Sequence, residues 1–138
     1  MKQLESLIKQ MASNPKVIFL IDGFGALLSV FLLGVVLVRL ESLIGMPQQT
    51  LFFLAGIAVF FTIYSFFCAF RIKKNWRVFL KIIASFNLSY CILTFSLLLF
   101  HQDHITNIGN VYFLLEILTI ASLALFEFKV ARTKIDLN

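Results

Sequence analysis

Charge is what this chain has least of. Asp, Glu, Lys and Arg supply 14% of its 138 residues and apolar types supply 60%, whereas an average soluble domain is about a quarter charged. A soluble domain of this length could not bury so much apolar surface, so hydrocarbon is the expected solvent. Cysteine is scarce too. Cys68 and Cys91 both lie inside apolar runs and form neither a disulfide framework nor a CxxC spacing for metal or redox chemistry. Period-two alternation is missing from the apolar runs, which argues against a transmembrane barrel. No GxSxG elbow or HExxH pair occurs, and the Gly23-Phe24-Gly25 triplet lacks the spacing of a phosphate loop. A signal peptide is not expected, because the first apolar run is too long and no small-x-small cleavage site follows it.

What is present is four apolar runs, at about 16–38, 51–70, 78–100 and 110–128. Each is close to the roughly 20 residues that a helix needs to cross about 30 Å of hydrocarbon. The predicted fold is an all-α integral membrane four-helix bundle, with residues 129–138 as a tail. Residues 1–15 precede it. There Leu4, Leu7, Ile8 and Met11 follow i, i+3, i+4, i+7 spacing, with Lys2, Glu5 and Lys9 off that face. This predicts a short amphipathic helix on the membrane surface, ending at Asn14-Pro15. The connections are too short for a separate soluble domain.

The basic residues are distributed unevenly. Lys2, Lys9 and Lys16 precede the first run. Arg71, Lys73, Lys74, Arg77 and Lys81 gather at the second connection, and Lys129, Arg132 and Lys134 follow the last run. With four spans these three regions share one side, and Arg39 alone lies opposite. The positive-inside rule predicts that both termini are cytoplasmic, with Trp76 at the inner interface. The net charge of +5 is therefore read as membrane-directed, and nucleic acid is not an expected partner.

Against this apolar background the polar residues stand out. At about 1.5 Å of rise per residue, Asp22 and Tyr64 lie at similar depths in the first two spans, Asn87 and Tyr90 somewhat higher in the third, and Glu116 level with Tyr90 in the fourth. Asn87, Tyr90, Cys91 and Thr94 share one helical face, as do Asp22, Gly25, Ala26 and Ser29. The latter face is small enough for a neighbouring helix to approach closely. Tyr64, Ser65 and Cys68 lie together in the second span, and Tyr112, Glu116 and Thr119 in the fourth. All four faces are expected to point inward around one polar cluster, because acids facing lipid cost about 2.5–3.5 kcal/mol each on insertion scales. Asp22, Ser29, Tyr64, Asn87, Tyr90, Thr94, Tyr112 and Glu116 are the candidate site residues. For the amides and hydroxyls the plain alternative is helix–helix adhesion, at about 0.6 kcal/mol per interaction. For the two acids a role with a ligand, a proton or a reaction carries more weight. Glu127, beside Lys129 at the inner boundary, reads as solvated or paired, and the two cysteines read as packing residues. His101, Asp103 and His104 lack a metal-site pattern, and Asp103 to Thr106 can instead cap the last helix. No metal and no cofactor is expected.

The motifs Asp22-Gly23-x-Gly25-Ala26-x-x-Ser29, Gly45-Met46-Pro47, Ala84-x-x-Asn87 and Gly109-x-x-Tyr112-Phe113-x-x-Glu116, with Glu127 at the end, resemble those of a group of small bacterial four-span membrane proteins with no assigned function. The likeness covers nearly the whole chain after Lys16. It implies a bacterial inner membrane and a four-helix fold, and it supplies no activity. Three functions remain open from the sequence. The first is a non-catalytic polar cluster that binds a lipid-like ligand or docks a membrane partner. The second is an embedded enzyme using Asp22 and Glu116 for proton transfer on an apolar substrate. The third is a proton-coupled transporter that would need dimerisation. Membrane lipid is the expected partner, with a homodimer or larger membrane complex as a further one.

Overall fold

The computed structural model describes residues 1–133; Lys134 and the rest of the expected tail lie outside the described residues. The architecture is all-α, with no strand among the described residues. An amphipathic helix, α1 (Lys2–Ser13), precedes four long apolar helices: α2 (Pro15–Arg39), α3 (Gln48–Arg71), α4 (Trp76–Phe100) and α5 (Asn107–Arg132). All four are long and apolar enough to cross a membrane. The chain is a small multi-pass membrane protein. Its lipid-facing surface is rich in Phe and Leu, with Phe24, Phe60, Ile92 and Leu118 all more than half exposed.

Local chemistry sets the helix ends. Pro15 starts α2, where its missing N–H is no loss. Gly45 closes the turn after α2 in the left-handed region, at φ +85°. Asn75, at φ +59°, is the one non-glycine residue with positive φ among those described, and it turns the chain into α4. The Thr106 hydroxyl accepts a hydrogen bond from the Gly109 N–H and so caps α5. One turn of α2, Leu32–Val36, widens to π geometry, with the Leu37 N–H reaching back to Leu32 O.

The helices are arranged as two hairpins. α2 packs along α3, and α4 packs along α5, while the hairpins meet each other over much less of their length. At Gly23 the α2–α3 approach is close: a Cβ there would lie 3.1 Å from the Phe66 ring, which stands edge-on to Phe24 at 5.2 Å. Gly23→Ala should push that ring aside, so the overpacking cost offsets alanine's helix gain of about 1 kcal/mol. Its thermal midpoint should lie below that of Gly56→Ala, where nothing lies within 4 Å of a Cβ; the midpoints of the two purified variants check this. Gly25 differs, since nothing lies within 4 Å of a Cβ there. The close approach therefore uses Gly23. Gly25 and Ser29, expected from the sequence to line a helix contact, instead border open space, because α2 rolls that face away from α3.

The hairpins are joined at both ends. At the end away from both termini, the outer end in the expected orientation, Thr106 donates from its hydroxyl to Leu43 O and Ile44 O, and its N–H donates to Ile44 O at 3.0 Å. The backbones touch so closely that a Cβ on Gly45 would overlap His104 O and one on Gly109 would overlap Ile44 O. At the other end α1 rests on α2 and α5, burying Ile8 and Ala12. There Arg77 also ties α4 to the end of α5, donating to Ala131 O at 3.0 Å while its guanidinium lies 4.5 Å over the Trp76 ring.

Candidate functional site

Between these two joints each long helix contributes one buried polar side chain to a single network. Ser65 of α3 donates its hydroxyl to Asp22 Oδ2 of α2. Asn87 of α4 donates from Nδ2 to Asp22 Oδ1 at 2.9 Å and to Glu127 Oε1 of α5 at 3.3 Å. All four residues are at most 5% exposed. The Asn87 amide is the link that crosses from one hairpin to the other. Its two N–H bonds are both used, which leaves its carbonyl as a free acceptor.

The composition of this network departs from the sequence expectation in two places. Tyr64 is not part of it. Its ring leans to the α3–α4 seam, where its hydroxyl donates to Phe79 O at 3.0 Å. Its neighbour Ser65 points inward, in step with the buried series Leu51, Leu54, Ala58, Phe61, Ser65 and Cys68. Glu127, expected at the interface beside Lys129, is fully buried, and its Oε2 has no partner. A signal for Glu127 was available. It lies eleven residues after Glu116, about three helical turns, so the two acids share one face of α5.

Glu116 belongs to a second, higher level. Tyr90 donates its hydroxyl to Glu116 Oε1 at 3.0 Å, and the Tyr90 ring is held edge-on by Phe61 at 6.0 Å. Glu116 Oε2 is buried without a partner, as is Thr94 Oγ1. Cys91 stands beside this level, with its Sγ 3.6 Å from Ile117 O. The expected single cluster is therefore two, one at the inner end and one near mid-span. Asp22 and Glu116 are not hydrogen-bonded to each other. Both oxygens of Asp22 are engaged, whereas Glu116 keeps one free.

A cavity of about 390 Å³ connects the two levels. Asp22 and Asn87 stand at its lower wall, and Tyr90, Tyr112 and Glu116 at its upper wall. The rest is apolar, including Ala26, Phe61 and Ile120. Its mouth lies between α2 and α5, the pair that does not pack closely. Gly25 and Leu28 form one lip, and Leu115 and Thr119 the other, and all four are exposed. Ser29 lies on the wall and Thr94 is buried behind it. The opening therefore faces sideways, toward where the acyl chains of a bilayer would lie. Among the described residues no group of three or more His, Cys, Asp or Glu gathers as metal ligands. Thr106 anchors the end of the loop that carries His101, Asp103 and His104.

No family model, no curated protein and no solved structure matches the chain.

Proposed function

We propose that this protein sits in a bacterial inner membrane with both termini cytoplasmic, and that its lateral cavity binds a lipid-like amphiphile without transforming it. The observation that carries the reading is the cavity itself, about 390 Å³ and open between α2 and α5. Ligand sites of about 300–1,000 Å³ with apolar walls and a few convergent polar groups are the usual form. A space of this size accommodates a head group and part of one chain, with the remainder leaving through the mouth into lipid. The strong basic bias of the two termini and the α3–α4 connection supports the orientation.

Proton-transfer catalysis by Asp22 and Glu116 together is less well supported. Asp22 already accepts from Ser65 and Asn87, so its oxygens serve the network that joins the hairpins. No observation favours transport.

Native mass spectrometry from mild detergent tests the binding reading. The wild-type protein should retain an amphiphile of single-chain size. Gly25→Leu should not, because Gly25 forms part of the mouth, nothing lies within 4 Å of a Cβ there, and a leucine would obstruct the opening. That variant should fold normally, since leucine also suits a helix better than glycine by up to about 1 kcal/mol. Equal retention by both proteins would remove the cavity from consideration.

A further inference from the structure

The polar groups on the cavity wall are unusually one-sided. Asp22, Ser29, Asn87, Tyr90, Tyr112, Glu116 and Thr119 face or border it; two of them are acids, and no Lys, Arg or His lines it. Most of the hydrogens these groups could donate are already committed. Both N–H bonds of Asn87 go to carboxyl oxygens. The Tyr90 hydroxyl donates to Glu116 Oε1. The Thr119 hydroxyl donates to Leu115 O, which leaves the Ser29 and Tyr112 hydroxyls as the uncommitted donors beside a larger acceptor capacity: the Asn87 carbonyl, the lone pairs of the hydroxyl oxygens and Glu116 Oε2. The last of these is buried with no partner in the protein. A buried carboxyl oxygen without a donor costs about 1–3 kcal/mol or more, and a bound donor would remove that cost.

A head group bearing phosphate or carboxylate is the wrong complement. It would bring negative charge beside two acids with no cation on the wall to neutralise it, and such unpaired burial is strongly unfavourable. A hydroxyl or an amine is the right one. Either can donate to Glu116 or the Asn87 carbonyl, and an ammonium does so with a charge opposite in sign to a carboxylate.

Resting on the binding reading above, we propose that the cavity selects a single-chain amphiphile whose head donates hydrogen bonds, an alcohol or an amine, and excludes phosphate and carboxylate heads, with the head seated at Glu116. Bulk phospholipid, which surrounds the protein, is then rejected because its phosphate would have to sit beside Asp22 and Glu116 inside the cavity, whereas an alcohol or amine amphiphile enters.

The test compares dodecanol, dodecylamine, dodecyl phosphate and dodecanoate, which share one tail. Each is titrated against the protein in lipid nanodiscs, with the thermal midpoint as readout. The same titration of Gly25→Leu subtracts the effect of partition into lipid. Dodecanol or dodecylamine should bind at least about tenfold more tightly than either anionic probe, a difference of about 1.4 kcal/mol, and only in the wild type. Glu116→Gln should weaken dodecylamine about tenfold or more while sparing dodecanol if the ammonium is the preferred head; it should weaken both if the carboxyl accepts from either. Unchanged binding of both in Glu116→Gln would overturn the placement of the head. Equal or tighter binding of an anionic probe, abolished by Gly25→Leu, would overturn the selectivity and leave the cavity reading standing. No stabilisation by any probe beyond that seen with Gly25→Leu would overturn both.

Discussion

Gly45→Val and Gly109→Ala should each loosen the outer end of the bundle and lower the thermal midpoint more than any surface substitution. At Gly45 two costs combine. The backbone sits at φ +85°, where a β-branched residue is strained by about 1–3 kcal/mol. The new Cβ would also overlap the carbonyl oxygen of His104. At Gly109 the backbone is helical, and the overlap is with the carbonyl oxygen of Ile44. Neither obstacle is a flexible side chain, so relief requires the two outer loops to separate. Separation breaks the Thr106 hydrogen bonds to Leu43 and Ile44 at the same time. Gly56→Ala is the matched control, since nothing lies within 4 Å of a Cβ there. It should be neutral or stabilise by up to about 1 kcal/mol. Thermal denaturation of the three variants in one detergent decides this. Equal midpoints for Gly45→Val and Gly56→Ala would mean that the outer clasp is not a structural joint.

The second large effect is expected at Asn87. Asn87→Leu fills a similar space but strands an oxygen of Asp22 and one of Glu127, both buried. Each stranded group costs about 1–3 kcal/mol, more when charged. Asn87 is also the donor that joins the hairpins, so the loss should fall on their association. Hydrogen exchange should then rise along the α2 and α5 faces that border the cavity, with α3 protected better than α2. Adding Glu127→Leu to Asn87→Leu should recover part of the loss, because it removes the stranded Glu127 carboxyl, while Asp22 Oδ1 stays without its Asn87 donor. If the double variant is no more stable than Asn87→Leu, the Asn87–Glu127 contact carries little of the energy and the Asp22–Asn87 contact carries the joint alone.

These two joints explain why a cavity exists between them. The Gly45–Gly109 clasp fixes the outer end, and the Asp22–Ser65–Asn87–Glu127 network fixes the inner half. With both held, α2 and α5 need not close on each other in the middle. Small residues on α2, Gly25 and Ala26, keep the gap from filling. The π turn at Leu32–Val36 begins on the cavity wall, of which Leu32 is the last α2 residue. Such turns often mark functional positions in helices.

Much of this was legible in the residues. Segment length and hydropathy announce a membrane-spanning helix because the hydrocarbon core has a fixed thickness and demands internally satisfied backbone. The i, i+3, i+4 spacing placed Asp22 with Gly25, and Asn87 with Tyr90, on common faces. The capping role of Thr106 could also be read, since a threonine before a helix offers a donor and an acceptor in the right place. The choice between Tyr64 and Ser65 could not be made locally. The two are adjacent on one helix, about 100° apart, and only the roll of α3 against α2 decided that the serine reaches Asp22. Glu127 was misplaced for a related reason. Its nearness to Lys129 in sequence suggested water, whereas its shared face with Glu116 carried it inside.

By itself, then, the sequence determined that the chain is four apolar helices carrying polar groups at matched depths, because depth follows from rise per residue and needs no knowledge of neighbours. Only the tertiary structure decided which polar groups meet, because that depends on helix roll and on which pairs pack. It also decided that α2 and α5 stay apart. Whether two helices touch along their length is set by the joints that hold their hairpins together, and those joints include contacts between residues more than sixty positions apart.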